Sequence, residues 1–290
     1  NIYYQYTKGN VENSIYGMYV SIDEADEQKK LEMMLSIQQF LKPKLGKYLH
    51  SIKCHLGSFL VKVPNPHSYT YPHQDWLFID NEKPDLFSAT IWVSLEDIDV
   101  STGSLGFIKG SHKFLNNIIG SPSPEIITAT MGHEALLLSY LTFPPVKKGD
   151  ALIFNNKTVH AAFPNKTDKQ RIAAGIGITP EPAVLYHYHL NPNNPKRIFK
   201  LTVDEAFFHT YGNDSLRKCY HKKSMPKYTH VVDELDYQPV LFSKEEIEQE
   251  IIRHGNTTNG LPIEQLFANI SFKDKARFAF QYFMQRIFSK

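Results

Sequence analysis

Between residues 51 and 180 the chain is cut into short apolar segments by Pro, Gly, Asn and Asp, and this punctuation constrains the fold most. FLVKV (59–63), WLFI (76–79), SATIWVSL (88–95), SLGFI (104–108), ALLLSYLTF (135–143), DALIFN (150–155) and RIAAGIGI (171–178) all have strand length. Turn-forming stretches such as PNPHS, DNEKPD, DVSTG and VKKGD separate them. Seven such pieces, with no regular alternation of strand and helix, predict an antiparallel sandwich or closed double sheet. A doubly wound nucleotide fold is disfavoured.

Residues 22–47 predict a supporting helix. Asp23, Glu24 and Asp26 suit its positive end, Leu31, Met34, Leu35, Ile37 and Leu41 recur at helical spacing, and Pro43 marks a break or kink. After about residue 180 the texture becomes proline-rich and polar. There 245–255, ended by Gly255, and 272–288 predict two further amphipathic helices. The expected organisation is one domain over 1–290, with a core at about 51–180 and the remainder, 181–290, decorating it.

Charge excludes some partners. Thirty-two Lys and Arg against 30 Asp and Glu give a formal charge of +2, which offers no field for nucleic acid. No apolar run approaches the ~20 residues of a membrane helix. Two cysteines, Cys54 and Cys219, fit free thiols better than a disulfide framework or thiolate zinc site. A cytoplasmic location, a small-molecule substrate and either a monomer or a homodimer are the expectations.

Chemistry concentrates at two places. In YPHQDWLFID (71–80), strand periodicity turns His73 and Asp75 to one side and Gln74 and Trp76 to the other. Alone, such a pair arises often by chance. KKGDALIFNNKTVHAAFPNKTDKQRIAAGI (147–176) adds His160 and, at the start of an apolar strand, Arg171. Two histidines and a carboxylate form the facial set suited to non-haem Fe(II), although zinc accepts the same donors. Arginine supplies a planar two-pronged clamp for a carboxylate.

YPHQDW, ATIWVSLEDIDVSTGSLGFIKGSHK (89–113) and the 147–173 block together resemble the phytanoyl-CoA dioxygenase-like branch of the Fe(II)/2-oxoglutarate-dependent oxygenases. The resemblance spans roughly 55–178. It implies a mainly β fold, a double-stranded β-helix (jelly-roll, cupin-like) core with flanking helices. It also implies that His73, Asp75 and His160 bind Fe(II) and that Arg171 holds the distal carboxylate of 2-oxoglutarate, with O2 as the other cosubstrate. The reaction implied is oxidation of an unactivated C–H bond, hydroxylation by default, with succinate and CO2 as coproducts. Cyclisation or desaturation in natural-product biosynthesis is the same chemistry diverted. Because Asp75 is retained, halogenation is disfavoured.

Lys62, Tyr69, Thr90 and Thr158 are candidate contacts of the keto acid and Trp92 a candidate wall of its pocket, each in competition with ordinary packing. Asp80 or Glu82 is a candidate lip of the mouth, and His187 and His189 are candidate substrate contacts. No basic cluster suited to a coenzyme A diphosphate is evident, so the family's name does not define this substrate. Two other classes compete: a metal- or sugar-binding cupin-like module without catalysis, and a metal hydrolase.

Overall fold

Strand β8 (Arg171–Pro180) shows how the sequence builds the site, because its two faces carry different kinds of side chain. Ile172, Ala174, Ile176 and Ile178 face one way and join an apolar cluster with Met33, Ile37 and Leu41 of helix α2 (Glu27–Leu45). Arg171, Ala173, Gly175 and Gly177 face the other way, as period two requires. That second face is nearly bare.

The computed structural model describes residues 2–14, 17–80, 83 and 85–263. A short helix α1 (Ile2–Thr7) and strand β1 (Tyr19–Val20) precede α2, followed by β2 (Ile52–Lys62), β3 (Thr70–His73), β4 (Ala89–Ser94) and β5 (Leu105–Phe107). Helices α3 (Ser111–Phe114) and α4 (Glu134–Ser139) lead into β6 (Ala151–Asn155), β7 (His160–Ala162) and β8. Beyond lie β9 (Tyr186–Leu190), β10 (Arg197–Val203), α5 (Glu205–Thr210), α6 (Asn213–His221), β11 (Thr229–Asp236) and α7 (Lys244–Arg253).

The large sheet has the order β1-β2-β8-β4-β6, and its described pairings are antiparallel. Helix α2 covers one face. Its N-cap Asp26 accepts from Lys29 N at 3.1 Å, and each large apolar side chain it buries contributes about 1.5–3 kcal/mol. On the opposite face Trp92, Leu60 and Leu152 meet Leu105, Phe107 and Ala162 of the small sheet, ordered β3-β7-β5. Helix, large sheet and small sheet are thus three successive layers. The third sheet, β11-β10-β9, packs Tyr188, Leu190 and Ile198 around Ile126 and Tyr237.

The expected jelly-roll, double-stranded β-helix core is not what the chain forms. Helix and strand occur in comparable amounts, and the three sheets are open: no described strand pairing joins one to another or closes a barrel. Two segments expected as strands take other forms. WLFI (76–79) is irregular rather than a strand, because Asn156 captures the segment: its Nδ2 donates to Trp76 O at 2.9 Å and its carbonyl accepts from Asp75 N at 2.9 Å. ALLLSYLTF opens as helix α4, whose buried Leu137 and Leu138 pack beside Leu141 and Ile251. Leucine and alanine runs without β-branched residues favour helix.

The other strand segments match β2, β4, β5, β6 and β8. The predicted helix at 245–255 is α7, with Ser243 in a reciprocal capping box and Gly255 at φ 73°. The predicted helix at 272–288 and Glu82 lie outside the described residues. None of the described helices is long and apolar enough to cross a membrane.

Candidate metal centre

Strands β3 and β7 run antiparallel with His73 directly opposite His160. This register brings two imidazoles from distant parts of the chain to a ring separation of 4.2 Å. Asp75 lies just beyond the end of β3, placed by its backbone bond to Asn156. Its Oδ1 is 3.8 Å from His73 Nε2 and 3.6 Å from His160 Nε2, and one ligand atom from each residue lies within 4.8 Å of the others.

Both histidines are held in one tautomer. His73 Nδ1 donates to Tyr71 O at 2.7 Å and His160 Nδ1 to Thr158 O at 2.9 Å. Each Nε2 therefore presents a lone pair to the shared space, the arrangement metal-binding histidines use. Thr90 Oγ1 lies 2.9 Å from Asp75 Oδ2 and 3.1 Å from Asn156 Oδ1. A hydroxyl has one proton, and the charged, nearer carboxylate is the stronger acceptor. Phe154 and Phe107 flank the buried His160 ring at 4.9 and 6.2 Å. Two aligned imidazole lone pairs and an oriented carboxylate fit a divalent cation.

Arg171 is 3% exposed, and its Nη1 donates to Leu60 O at 3.4 Å. Among the described residues its Nε–H has no partner, and the guanidinium carbon lies 5.5 Å from the centroid of Trp92. Burial pulls its pKa down to about 10, opposed by the charge of Glu96, so it stays protonated at neutral pH. A buried cation with an orphaned donor fits a bound carboxylate.

The remaining candidates fall in several places. Lys62, fully buried and cross-strand to Arg171, donates to Gly17 O at 2.9 Å and Ser68 O at 2.8 Å. Burial, with the nearby Arg171 charge second, pushes its pKa well below the ordinary lysine range. Gly103, at φ 86°, leaves room for it, since a Cβ there would lie 2.7 Å from Lys62 Cδ. Tyr69 stacks on Tyr71 and meets the edge of Phe163. Thr158 contributes its carbonyl to His160.

Asp80 pairs with Lys200 at 2.9 Å, and neither lines the cavity beside the triad. His187 and His189 are fully buried and share the Ser121 hydroxyl, each at 2.8 Å. Burial holds both as neutral imidazoles, His189 down to about 4 and His187 well below its usual range. They do not line the cavity either.

That cavity, about 340 Å³, opens from His73, Asp75 and Thr90 along the bare face of β8 at Gly175 and Gly177. The sequence reading missed Asn156, which fixes the backbone on both sides of the Asp75–Trp76 peptide and donates to Ser88 Oγ at 3.0 Å. Its only sequence signal is the Asn-Asn turn before His160. Asp23 and Glu134, on the cavity wall, were also missed as site residues.

Residues 17–173 match the family model described as phytanoyl-CoA dioxygenase (PhyH). Phytanoyl-CoA dioxygenase domain-containing protein 1 of Danio rerio is 31% identical over 117 residues, covering 39% of this chain and 40% of that protein. The Mus musculus protein of the same name is 30% identical over 119 residues, 40% of each. The chain therefore spans about two fifths of the length of these curated relatives. Among solved structures, the carbocyclase SnoK from nogalamycin biosynthesis is 23% identical with a TM-score of 0.36, over 46% of this chain and 52% of that one. EvdO2 from Micromonospora carbonacea var. aurantiaca, complexed with 2-oxoglutarate, is 19% identical with a TM-score of 0.36, over 55% and 61%. With more than half of its length matched by the family model, the chain belongs to the phytanoyl-CoA dioxygenase-like branch of the Fe(II)/2-oxoglutarate-dependent oxygenases.

Proposed function

We propose that the protein oxidises an unactivated C–H bond of a small or medium-sized metabolite, using Fe(II) held by His73, Asp75 and His160 and 2-oxoglutarate anchored by Arg171. The observation that carries this reading is the convergence of His73 Nε2, Asp75 Oδ1 and His160 Nε2, with His73 and Asp75 lining a largely apolar cavity. Bound Fe(II) and 2-oxoglutarate supply the oxidising power drawn from O2, with succinate and CO2 as coproducts.

The chain's own residues do the positioning. The carbonyls of Tyr71 and Thr158 hold each histidine proton on Nδ1, and Thr90 orients the Asp75 carboxylate. Arg171 offers a fixed positive charge and an N–H that is unpartnered among the described residues. Apolar walls, including Trp76, Phe78 and Ile126, keep water from the reacting C–H bond. No side chain is required as a general base. Whether the carbon is hydroxylated, desaturated or cyclised depends on how the substrate lies, and product mass spectrometry separates these outcomes.

The test is anaerobic addition of Fe(II) and 2-oxoglutarate, followed by O2. A weak visible charge-transfer band should appear in the wild type and vanish in His73→Ala, and succinate should form only with O2. Wild-type protein that binds neither partner, or that works with zinc and without O2, overturns the assignment.

A further inference from the structure

Lys62 joins three parts of the molecule that the oxidation would use, and its side chain is fully buried. Its ammonium donates to Gly17 O at 2.9 Å and to Ser68 O at 2.8 Å. Gly17 opens a strap, 17–22, which contains β1 and from which Met18, Val20 and Ile22 line the cavity. Ser68 lies two residues before β3, the strand that ends on His73. Lys62 is also the register partner of Arg171, and paired residues of neighbouring strands share one face of the sheet.

The strap is tied at its two ends by different means. At 21–22, Ser21 Oγ accepts from Phe59 N at 2.9 Å and Ser58 Oγ accepts from Ile22 N at 3.3 Å, bonds that owe nothing to Lys62. At Gly17, with φ 77°, the backbone comes so close to β3 that a Cβ would lie 1.9 Å from Tyr69 O. Lys62 spans this approach, with one acceptor carbonyl on each side of it. Two carbonyls need only a neutral donor. An ammonium buried beside a guanidinium is costly, and the described residues give Lys62 no ion pair: the charge that bears on it is that of Arg171.

We infer that Lys62 is a positioning residue that couples the cosubstrate anchor to the substrate wall: a carboxylate received by Arg171 tightens the 17–22 strap over the cavity. This rests on the oxygenase reading above, which supplies the carboxylate. Pairing Arg171 with a carboxylate cancels the repulsion at Lys62 and favours its charged form. Hydrogen bonds from a charged donor are roughly twice as strong as those from a neutral one. The bonds to Gly17 O and Ser68 O therefore strengthen together, and the wall is drawn against the strand that carries His73. By linkage, a change that loosens the strap weakens cosubstrate binding by the same factor.

Hydrogen exchange of the full chain, loaded anaerobically with Fe(II), with and without 2-oxoglutarate, tests this. With 2-oxoglutarate bound, amides of 18–22 should exchange about fivefold more slowly relative to those of α7, the size expected when two hydrogen bonds gain charge assistance. Lys62→Met, close in length but without a donor, should abolish this response and still form the charge-transfer band at high 2-oxoglutarate. Gly17→Ala, made in the strap itself, should weaken 2-oxoglutarate about fivefold in titrations of that band, and it serves as the test where Lys62→Met does not fold. Unchanged exchange at 18–22 in wild type that shows the band, a response that survives Lys62→Met, or wild-type affinity in Gly17→Ala overturns the inference. Wild-type protein that forms no band with Fe(II) and 2-oxoglutarate overturns the oxygenase reading and the inference with it.

Discussion

Thr90 carries a hydroxyl at the one place where the Asp75 carboxylate needs a fixed direction. Its bond to Oδ2 leaves Oδ1 facing the two histidine nitrogens. Thr90→Val keeps the shape and removes the donor. It should weaken Fe(II) binding by about 10–100-fold, the usual cost of losing an outer hydrogen bond to a metal ligand, while Thr90→Ser stays within a few-fold. Anaerobic Fe(II) titration checks this, and equal affinity in Thr90→Val would show that the carboxylate orients itself. The three converging donors were legible in the sequence because metal chemistry demands particular residue types, two of them at the short spacing His-x-Asp. Asn156 was not. Its importance comes from a contact with distant backbone, at Trp76, which no local spacing encodes.

Register is the property of elements that matters most here. A one-residue slip between β3 and β7 would turn His73 and His160 to opposite faces of the small sheet. That sheet is short, and α4 and α7 brace it: Leu137, Ile247 and Ile251 share a cluster with Tyr71, Val159 and Ala161. Ser243→Ala removes the α7 cap, in which Ser243 Oγ accepts from Glu246 N at 3.1 Å. The loss should be about 1 kcal/mol, read as a lower urea midpoint with unchanged slope. The helix at 245–255 was legible from its period and its flanking Ser and Gly, and β4, β6 and β8 from their length and turns. The leucine run at 135–143 misled because an unbroken apolar segment serves either a strand or a helix. The β9–β10 hairpin was not read as a pair, because the Asn- and Pro-rich stretch at 191–195 that joins its strands says nothing of which segments it brings together.

Across the whole molecule, acid should destabilise the fold well before the carboxylates are all protonated. His55, His187 and His189 are neutral in the folded state, with pKa values held below the ordinary 6.5. Unfolded chains bind these protons first. Stability is therefore full above pH 6.5 and falls as the pH drops toward 4, by about 1.4 kcal/mol per unit for each histidine across its window. Urea midpoints at pH 7, 6 and 5 should decline steadily; a flat profile would mean that these histidines are solvated. Sheet closure was not legible in the sequence, since a strand's pattern records which face is buried and not which edge meets which. The bare face of β8 has a last consequence, for recognition. Where Gly175 and Gly177 stand, the wall offers backbone and no side chain of its own. A ligand lying there freezes no rotamers but its own, and its fit can be retuned only by subtraction of space, one carbon at a time.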